Sequence, residues 1–185
     1  MQFDINFIYT CLNNNPRVKF SNGIPKNTQS LKTFQFNSFQ FLDSLHFLNA
    51  SLAELGDILE KSNHHYPFLS QSKLCLDENG CFSEERKALL TKKSSFPYEK
   101  VKEDLGYLNM RHFPEISDFF SSLTESITID PQDYLNAKRV FDFFQLNSMR
   151  EFLELYNGVD CIVLCEVCEN YEKIMASKFG LYPFR

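Results

Sequence analysis

The chain has 185 residues, of which 43% are hydrophobic and 23% are charged, the balance of an ordinary globular domain with a buried core. Its formal charge of −5 argues against a protein that binds nucleic acid unaided, because phosphate binding usually needs a basic face. The sequence carries 20 phenylalanines and no tryptophan. We therefore expect its aromatic side chains to be buried or to cover a partner surface.

The start of the sequence shows neither the basic nor the apolar region of a secretory signal, and no apolar run has the length of a membrane span. The six cysteines are therefore expected to be free thiols in a reducing, intracellular compartment rather than disulfides. We expect an intracellular protein with no membrane partner.

Phenylalanine alternates with polar residues in the first part of the chain. Residues 1–23 give no clear indication of a role. From residue 31 to 42 the alternation begins with Phe34 and Phe36 and then slips by one position. Period-two alternation predicts a strand or hairpin, and the slip predicts a turn or bulge near Asn37.

Helix start signals follow at two places. Ser51 with Glu54 three residues later predicts a capping box and a short helix that ends near Leu59. Ser83 predicts the N-terminal cap of a second short helix, which ends near Leu90.

The second half of the chain has stronger helix signals. Asp130–Pro131 combines a cap residue with a proline at the first helical position. A long helix is predicted over Ser148–Phe179, with Gly180 as its stop. Pro114–Leu123 is also predicted to be helical, whereas the polar segment Lys61–Gly80 is predicted to be a loop.

Asp160 is the main anomaly of the last helix. On a helical wheel it falls in the middle of an apolar side formed by Met149, Phe152, Leu153, Tyr156, Val163, Val167, Tyr171 and Ile174. A charged carboxylate among apolar neighbours is costly unless it is paired or bound to a metal. Asp160 is therefore either a core acid held by a salt bridge or a cap, or a metal ligand with the Tyr156 hydroxyl beside it.

Three cysteines of the same helix have a suggestive spacing. Cys161, Cys165 and Cys168 have the spacing of an iron–sulfur motif, but that motif needs a loop around the cluster. Zinc is also disfavoured, because His64, His65 and His112 are too scattered to supply a fourth ligand. We interpret the three thiols as small packing residues on the side opposite Asp160.

The segment from Tyr156 to Tyr171 resembles the third exonuclease motif of type-B DNA polymerases, most of all the protein-primed organellar, viral and Maverick-type transposon branch. That branch has a tyrosine, an aspartate four residues later, an apolar run and a helix that ends in Tyr-Gly-Leu-Asp-Pro. Here the ending is Phe179–Pro183, with Tyr182 in place of the family aspartate.

The resemblance continues upstream in the family's order. The blocks that carry it are Ile24–Asn27, Phe41–Leu52, Phe96–Glu99, Phe120–Leu123, Asp133–Tyr134 and Ala137–Val140. The match covers residues 24–185 and leaves residues 1–23 as a separate N-terminal segment. The fold that it implies is mixed α/β and rich in helix, an incomplete ribonuclease-H-like exonuclease domain.

The resemblance implies roles for particular residues. Asp160 would be one of the carboxylates that hold Mg²⁺ or Mn²⁺, and Tyr156 would orient the attacking water or the scissile phosphate. Lys93 would assist the exonuclease reaction; the alternative is a surface lysine in a loop. Asp43, Ser44 and Leu45 would lie near the path of single-stranded DNA; the alternative is a structural strand end.

The other motifs of the family are missing from this sequence. We find neither the Asp-x-Glu of the first exonuclease motif, nor the second motif, nor a palm domain. Asp160 is the one recognisable ligand, and one carboxylate binds a hydrated divalent ion weakly.

We therefore expect a partial exonuclease region of a polymerase that is inactive alone, with single-stranded DNA and the remainder of the polymerase as partners. The alternatives are a non-catalytic binding module that keeps the exonuclease scaffold, and an unrelated helical interaction protein.

Overall fold

The computed structural model describes residues 8, 10–27, 30–42, 44, 47–92, 94–121, 126, 127 and 129–184. They belong to two compact units, Met1–Ala50 and Ser51–Arg185. The chain is mixed α/β and rich in helix, which confirms the coarse fold class. The predicted boundary near residue 23 concerns the extent of the family resemblance and stays a prediction.

The first unit contains a three-stranded antiparallel sheet of β1 (Phe20–Asn27), β2 (Ser30–Phe36) and β3 (Phe39–Leu42), in the order β1-β2-β3. The turn between β2 and β3 begins at Asn37, whose φ is 50°. Asparagine adopts this left-handed conformation more readily than most residues. The turn predicted near Asn37 is therefore confirmed.

Aromatic packing stabilises the β2–β3 hairpin. Phe34 and Phe36 are almost fully buried, as alternate residues on one side of a strand can be. Phe34 stacks on Phe41 of β3, with the ring centroids 4.6 Å apart. Phe39, next to the turn, is 72% exposed. The predicted alternation thus holds for β2 and ends at the hairpin tip.

The second unit is helical. Its α-helices are α1 (Leu52–Lys61), α2 (Pro67–Gln71), α3 (Glu84–Leu90), α4 (Tyr98–Glu103), α5 (Pro131–Phe143) and α6 (Met149–Phe179). The 3-10 turns Lys73–Cys75, Leu105–Asn109 and Ile116–Phe119 lie between them, and β4 (Phe120–Ser121) pairs with β5 (Ser126–Ile127).

The predicted helix starts are confirmed by their caps. Ser51 and Glu54 form the reciprocal capping box of α1. Ser83 accepts a hydrogen bond from the Arg86 N–H at the start of α3, and Asp130 accepts one from the Gln132 N–H at the start of α5. Each cap satisfies an N–H that has no partner within its helix.

Two predictions from composition are wrong. Of Pro114–Leu123, residues 116–119 form a 3-10 turn and the next two pair as β4. The helix fails there because the backbone of β4 bonds to β5 instead. Lys61–Gly80 is not a plain loop, because it contains α2 and a 3-10 turn. Leu69 and Cys75 of this segment are fully buried. Burial of these two side chains stabilises regular structure in spite of the polar composition of the segment.

Helix α6 is the centre of the second unit. It runs unbroken for 31 residues, begins after Ser148, ends at Gly180 with a φ of 64°, and packs against α1 and α2. Its buried residues lie between Met149 and Val167, and none of residues 168–179 is buried.

Aromatic rings fill the space beside the first half of α6. The Phe113 ring lies 5.6 Å from both Phe141 and Phe152, and Phe96 lies 5.9 Å from Phe152. This cluster buries part of the phenylalanine that the composition predicts must be covered. Within the described parts of the chain, no helix is both long and apolar enough to cross a membrane.

Candidate functional site

Tyr156 and Asp160 line the same cavity, which has a volume of about 250 Å³ and lies wholly within the second unit. The two residues are one turn apart on α6, so their side chains lie on one face of the helix. Helix α1 and the segment after α3 supply much of the remaining wall. The apolar lining includes Leu52, Leu89, Val140, Phe152, Leu155 and Val163.

The Asp160 carboxylate is partly buried and forms no ion pair with any residue that the structure describes. Burial raises the pKa of Asp160 above its ordinary value, and hydrogen bonding by the Tyr156 hydroxyl lowers it by less. A core salt bridge of Asp160 was one interpretation of the sequence. The described residues do not form it. The carboxylate faces the cavity with a phenol as its neighbour.

Tyr156 also contacts an aromatic groove next to the cavity. Burial, followed by the charge of Asp160, raises the pKa of Tyr156. Its ring meets Tyr98 edge to face, with the centroids 6.1 Å apart, and lies 6.3 Å from Phe96. The groove has a volume of about 300 Å³ and includes Phe120 in its lining. Tyr98 is 53% exposed, so an incoming molecule can reach its ring.

The opposite end of the cavity is charged. Asp57 of α1 and Lys92 line the cavity and also line a wider groove beside α5. Both residues are exposed, so they lie at the mouth and Asp160 lies deeper. Ser94 also lines the cavity, and its hydroxyl is buried without a hydrogen-bond partner among the described atoms.

The donor groups present do not fit a two-metal centre. Among the described residues, no group of three or more His, Cys, Asp or Glu side chains is arranged to hold a metal ion. Asp57 and Asp160 share a cavity whose wall is largely apolar, whereas Mg²⁺ needs six oxygen ligands, in part from water. No catalytic step through a metal can be derived from these residues.

The other predicted site residues are not brought to this cavity by anything that the structure describes. Ser44 belongs to the first unit, where its carbonyl accepts hydrogen bonds from the N–H groups of Phe47 and Leu48 at 3.0 and 2.8 Å. Asp43, Leu45 and Lys93 lie outside the described residues. Their assigned roles stay predictions.

Glu166 is a buried acid that the sequence analysis missed. It is 0% exposed. Its Oε2 lies 2.9 Å from Nε2 of His64, and its Oε1 accepts a hydrogen bond from the Leu69 N–H at 2.9 Å. A buried carboxylate is tolerable when both oxygens are satisfied in this way. Glu166 thereby attaches α2 to α6.

A signal for Glu166 was present in the sequence. It follows Ile162, Val159 and Leu155 by four, seven and eleven residues, the spacing of one helix face. A wheel that includes these residues moves the centre of the buried stripe toward Glu166. Asp160 then falls on the flank of the stripe, which explains why it is only partly buried.

Tyr66 lies beside the Glu166 cluster in a strained backbone conformation. Its φ is 48°, a left-handed value that is uncommon for an aromatic residue. Its ring meets His64 edge to face at 5.2 Å. The hydroxyl is buried without a hydrogen-bond partner, and burial raises the pKa of Tyr66 to about 12. Packing against the cluster compensates for this strain.

The interpretation of the three α6 cysteines as packing residues is wrong for two of them. Cys161 and Cys165 are exposed, and Cys168 is partly buried. The side of α6 that carries Cys161 and Cys165 is exposed, so small side chains there have nothing to pack against.

No family model, curated protein or solved structure matches the chain.

Proposed function

We propose that this chain is a partial, ribonuclease-H-like exonuclease region of a type-B DNA polymerase and that it does not cut DNA by itself. The observation that carries the proposal is the pairing of Tyr156 and Asp160 in one cavity. These are the residues of the third-motif resemblance. A tyrosine and an aspartate one turn apart occur by chance in many helices, and the shared cavity is what adds to that spacing here.

The lack of cleavage follows from the number of available ligands. Two-metal phosphodiester cleavage needs several carboxylates around two ions. The described residues offer no such group. One carboxylate leaves Mg²⁺ or Mn²⁺ weakly bound, so the remainder of a polymerase would have to complete the site.

The aromatic groove supports single-stranded DNA as the partner. Tyr98 and Tyr156 line a groove that adjoins the Asp160 cavity, and exposed aromatic rings stack on bases of any sequence. The acidic balance of the chain, −5, makes such binding weak and dependent on low salt.

The test is a cleavage and binding assay on the full chain with end-labelled single-stranded DNA. With manganese we expect no degradation. At low salt we expect weak binding, and Tyr98→Ala should reduce it about ten-fold, since stacking on one base contributes about 1–3 kcal/mol. Phe68→Ala is the matched control, because Phe68 is 45% exposed and lies outside the groove.

One outcome would contradict the proposed lack of cleavage, and another would contradict the proposed DNA-binding groove. Degradation that Asp160→Ala abolishes would show that the site is complete. Equal DNA binding by Tyr98→Ala and Phe68→Ala would remove the groove from the proposal. The neighbouring genomic sequence gives an independent check, because a type-B origin predicts an upstream Asp-x-Glu and downstream palm motifs.

A second candidate function is a binding module that keeps the exonuclease scaffold without its chemistry. The observation that favours it is the cavity itself, whose wall is largely apolar. Such a wall suits a small molecule better than a phosphate backbone. An intact short reading frame with its own start, and no polymerase motifs beside it, would favour this candidate.

A further inference from the structure

We propose that the Asp160 cavity binds a small organic cation, an amine with an apolar body. The inference goes beyond the proposed function and does not depend on kinship with polymerases. It rests on the shape of the cavity, its apolar wall and the positions of its charged groups.

The size and wall of the cavity set the kind of ligand. A volume of about 250 Å³ lies near the lower end of ligand pockets, and apolar walls with a few polar groups are typical of small-molecule sites. Leu52, Phe152 and Val163 contribute to the wall. A compact apolar body gains free energy by leaving water for this environment.

The inner end of the cavity sets the charge of the ligand. Asp160 faces the interior and has no cationic partner among the described residues. An ammonium group placed beside it would form a charge-assisted hydrogen bond in a partly desolvated site, where such bonds are strong. The electron-rich ring of Tyr156 on the same wall attracts a cation as well.

Every described titratable group on the cavity wall is compatible with this assignment. Asp57 on α1 adds a second negative charge at the mouth. Lys92, after α3, is exposed, and its long side chain can keep its ammonium in water. The phenol of Tyr156 stays neutral at physiological pH, because burial raises its pKa. An anionic ligand would instead meet both carboxylates.

A metal ion is the competing occupant. It is disfavoured because the described residues include no cluster of three metal-ligating side chains, and because an apolar wall cannot replace the water that a divalent ion gives up. An ammonium group needs fewer polar partners, since its body is satisfied by apolar contact.

The first test compares phenethylammonium with phenethyl alcohol, a neutral molecule of similar shape, by calorimetric titration of the full chain. The amine should bind more tightly, and Asp160→Asn should weaken its binding about ten-fold, the effect of one charge-assisted hydrogen bond. Binding of the alcohol should hardly change. Asp142→Asn is the matched control, because Asp142 lines the outer groove but not the cavity.

The second test fills the cavity. Gly56 of α1 lines it, and a Cβ added there would lie 3.8 Å from Val163 Cγ1, an ordinary contact. Gly56→Leu should therefore abolish binding of both probes, whereas Gly56→Ala should retain it. Circular dichroism establishes that each variant is folded.

Three results would overturn the assignment: equal affinity for the alcohol and the amine, an unchanged affinity in Asp160→Asn, or displacement of the amine by an equal concentration of manganese. Undiminished amine binding in a folded Gly56→Leu variant would place the amine elsewhere and would also overturn it. None of these tests uses DNA, so their failure is distinguishable from failure of the exonuclease proposal.

Discussion

Asp160 and Glu166, two of the acids of α6, show that the surroundings of a carboxylate decide how much its burial costs in stability. Glu166 is fully buried, but both of its oxygens have partners. Asp160 is less buried, yet no described cation pairs with it. A partly buried acid without a counter-ion lowers the free energy of unfolding. Proteins commonly accept such a loss of stability at sites that bind a ligand.

The charge of Asp160 should lower stability at neutral pH. Because its folded pKa is raised above the ordinary 3.8, folding favours the protonated form. The stability that this provides is full below pH 3.8 and is lost as the pH rises through the folded value. Asp160→Asn should therefore stabilise the protein at pH 7, by less than about 1 kcal/mol because solvent screens a partly exposed group.

The measurement is urea unfolding at pH 7 and at pH 4. The advantage of Asp160→Asn should shrink at the lower pH, and Asp142→Asn, at an exposed residue outside the cavity, is measured beside it as the matched control. A variant that is less stable than the parent protein at pH 7 would mean that interactions of the charged carboxylate, such as its hydrogen bond with Tyr156, outweigh the cost of its burial.

Substitution of Glu166, in contrast to that of Asp160, should lower the stability of the protein. Glu166→Ala leaves the buried Leu69 N–H without an acceptor and His64 without its partner, so we expect a loss of about 2–4 kcal/mol in the free energy of unfolding. Glu166→Gln keeps an acceptor oxygen and should lose less.

Chemical denaturation measures both Glu166 variants. Glu169→Ala, whose carboxylate pairs with Lys173 four residues later on the same helix, is a control that should change stability by less than about 0.5 kcal/mol. If Glu166→Ala unfolded at the same urea concentration as the parent protein, the Glu166 cluster would not be a structural anchor.

At the scale of elements, helix ends were the easiest features to predict. Ser51, Ser83 and Asp130 cap helices as predicted, because a cap depends on local hydrogen bonds within a few residues. The turn at Asn37 was predictable for the same reason, since its backbone conformation favours asparagine.

Features that depend on distant partners were not predictable from local patterns. The strand after Ile116–Phe119 forms because β5 supplies its hydrogen bonds. Helix α2 and the 3-10 turn after it form in a polar stretch because Leu69 and Cys75, one in each, are buried. The shared cavity of Tyr156 and Asp160 agrees with their spacing on one helix. No pattern in the sequence predicts that α1 forms another wall of this cavity.

The capping box of α1 gives a test at this scale. Ser51→Ala removes the side-chain acceptor for the Glu54 N–H and the hydroxyl that bonds the Glu54 carboxylate. We expect a loss of about 1 kcal/mol in the free energy of unfolding. Ser177→Ala is the control, because the exposed Ser177 hydroxyl only donates to the Ile174 carbonyl within α6.

Urea unfolding of the two serine variants compares them directly. An equal effect of both substitutions would show that α1 does not depend on its cap. Because α1 forms part of the cavity wall, Ser51→Ala should also weaken amine binding slightly, and Ser177→Ala should leave it unchanged.

At the scale of the molecule, the second unit contains its own core and the whole Asp160 cavity. A fragment of residues 51–185 should therefore fold and keep the helical circular dichroism of its segments. It should also bind phenethylammonium within about two-fold of the full chain, a difference of less than half a kcal/mol. A fragment that is unfolded would show that residues 1–50 are needed for the core.

Helix α6 extends well beyond its last buried residue. With 31 residues it is about 46 Å long, and its buried residues end at Val167. Backbone amides before that point should exchange with deuterium only on global opening, and those of residues 170–179 through local fraying of the helix end. One continuous helix should thus contain both slowly and rapidly exchanging amides. A reporter dye attached at Lys178 would detect fraying of the helix end without disturbing the Asp160 cavity.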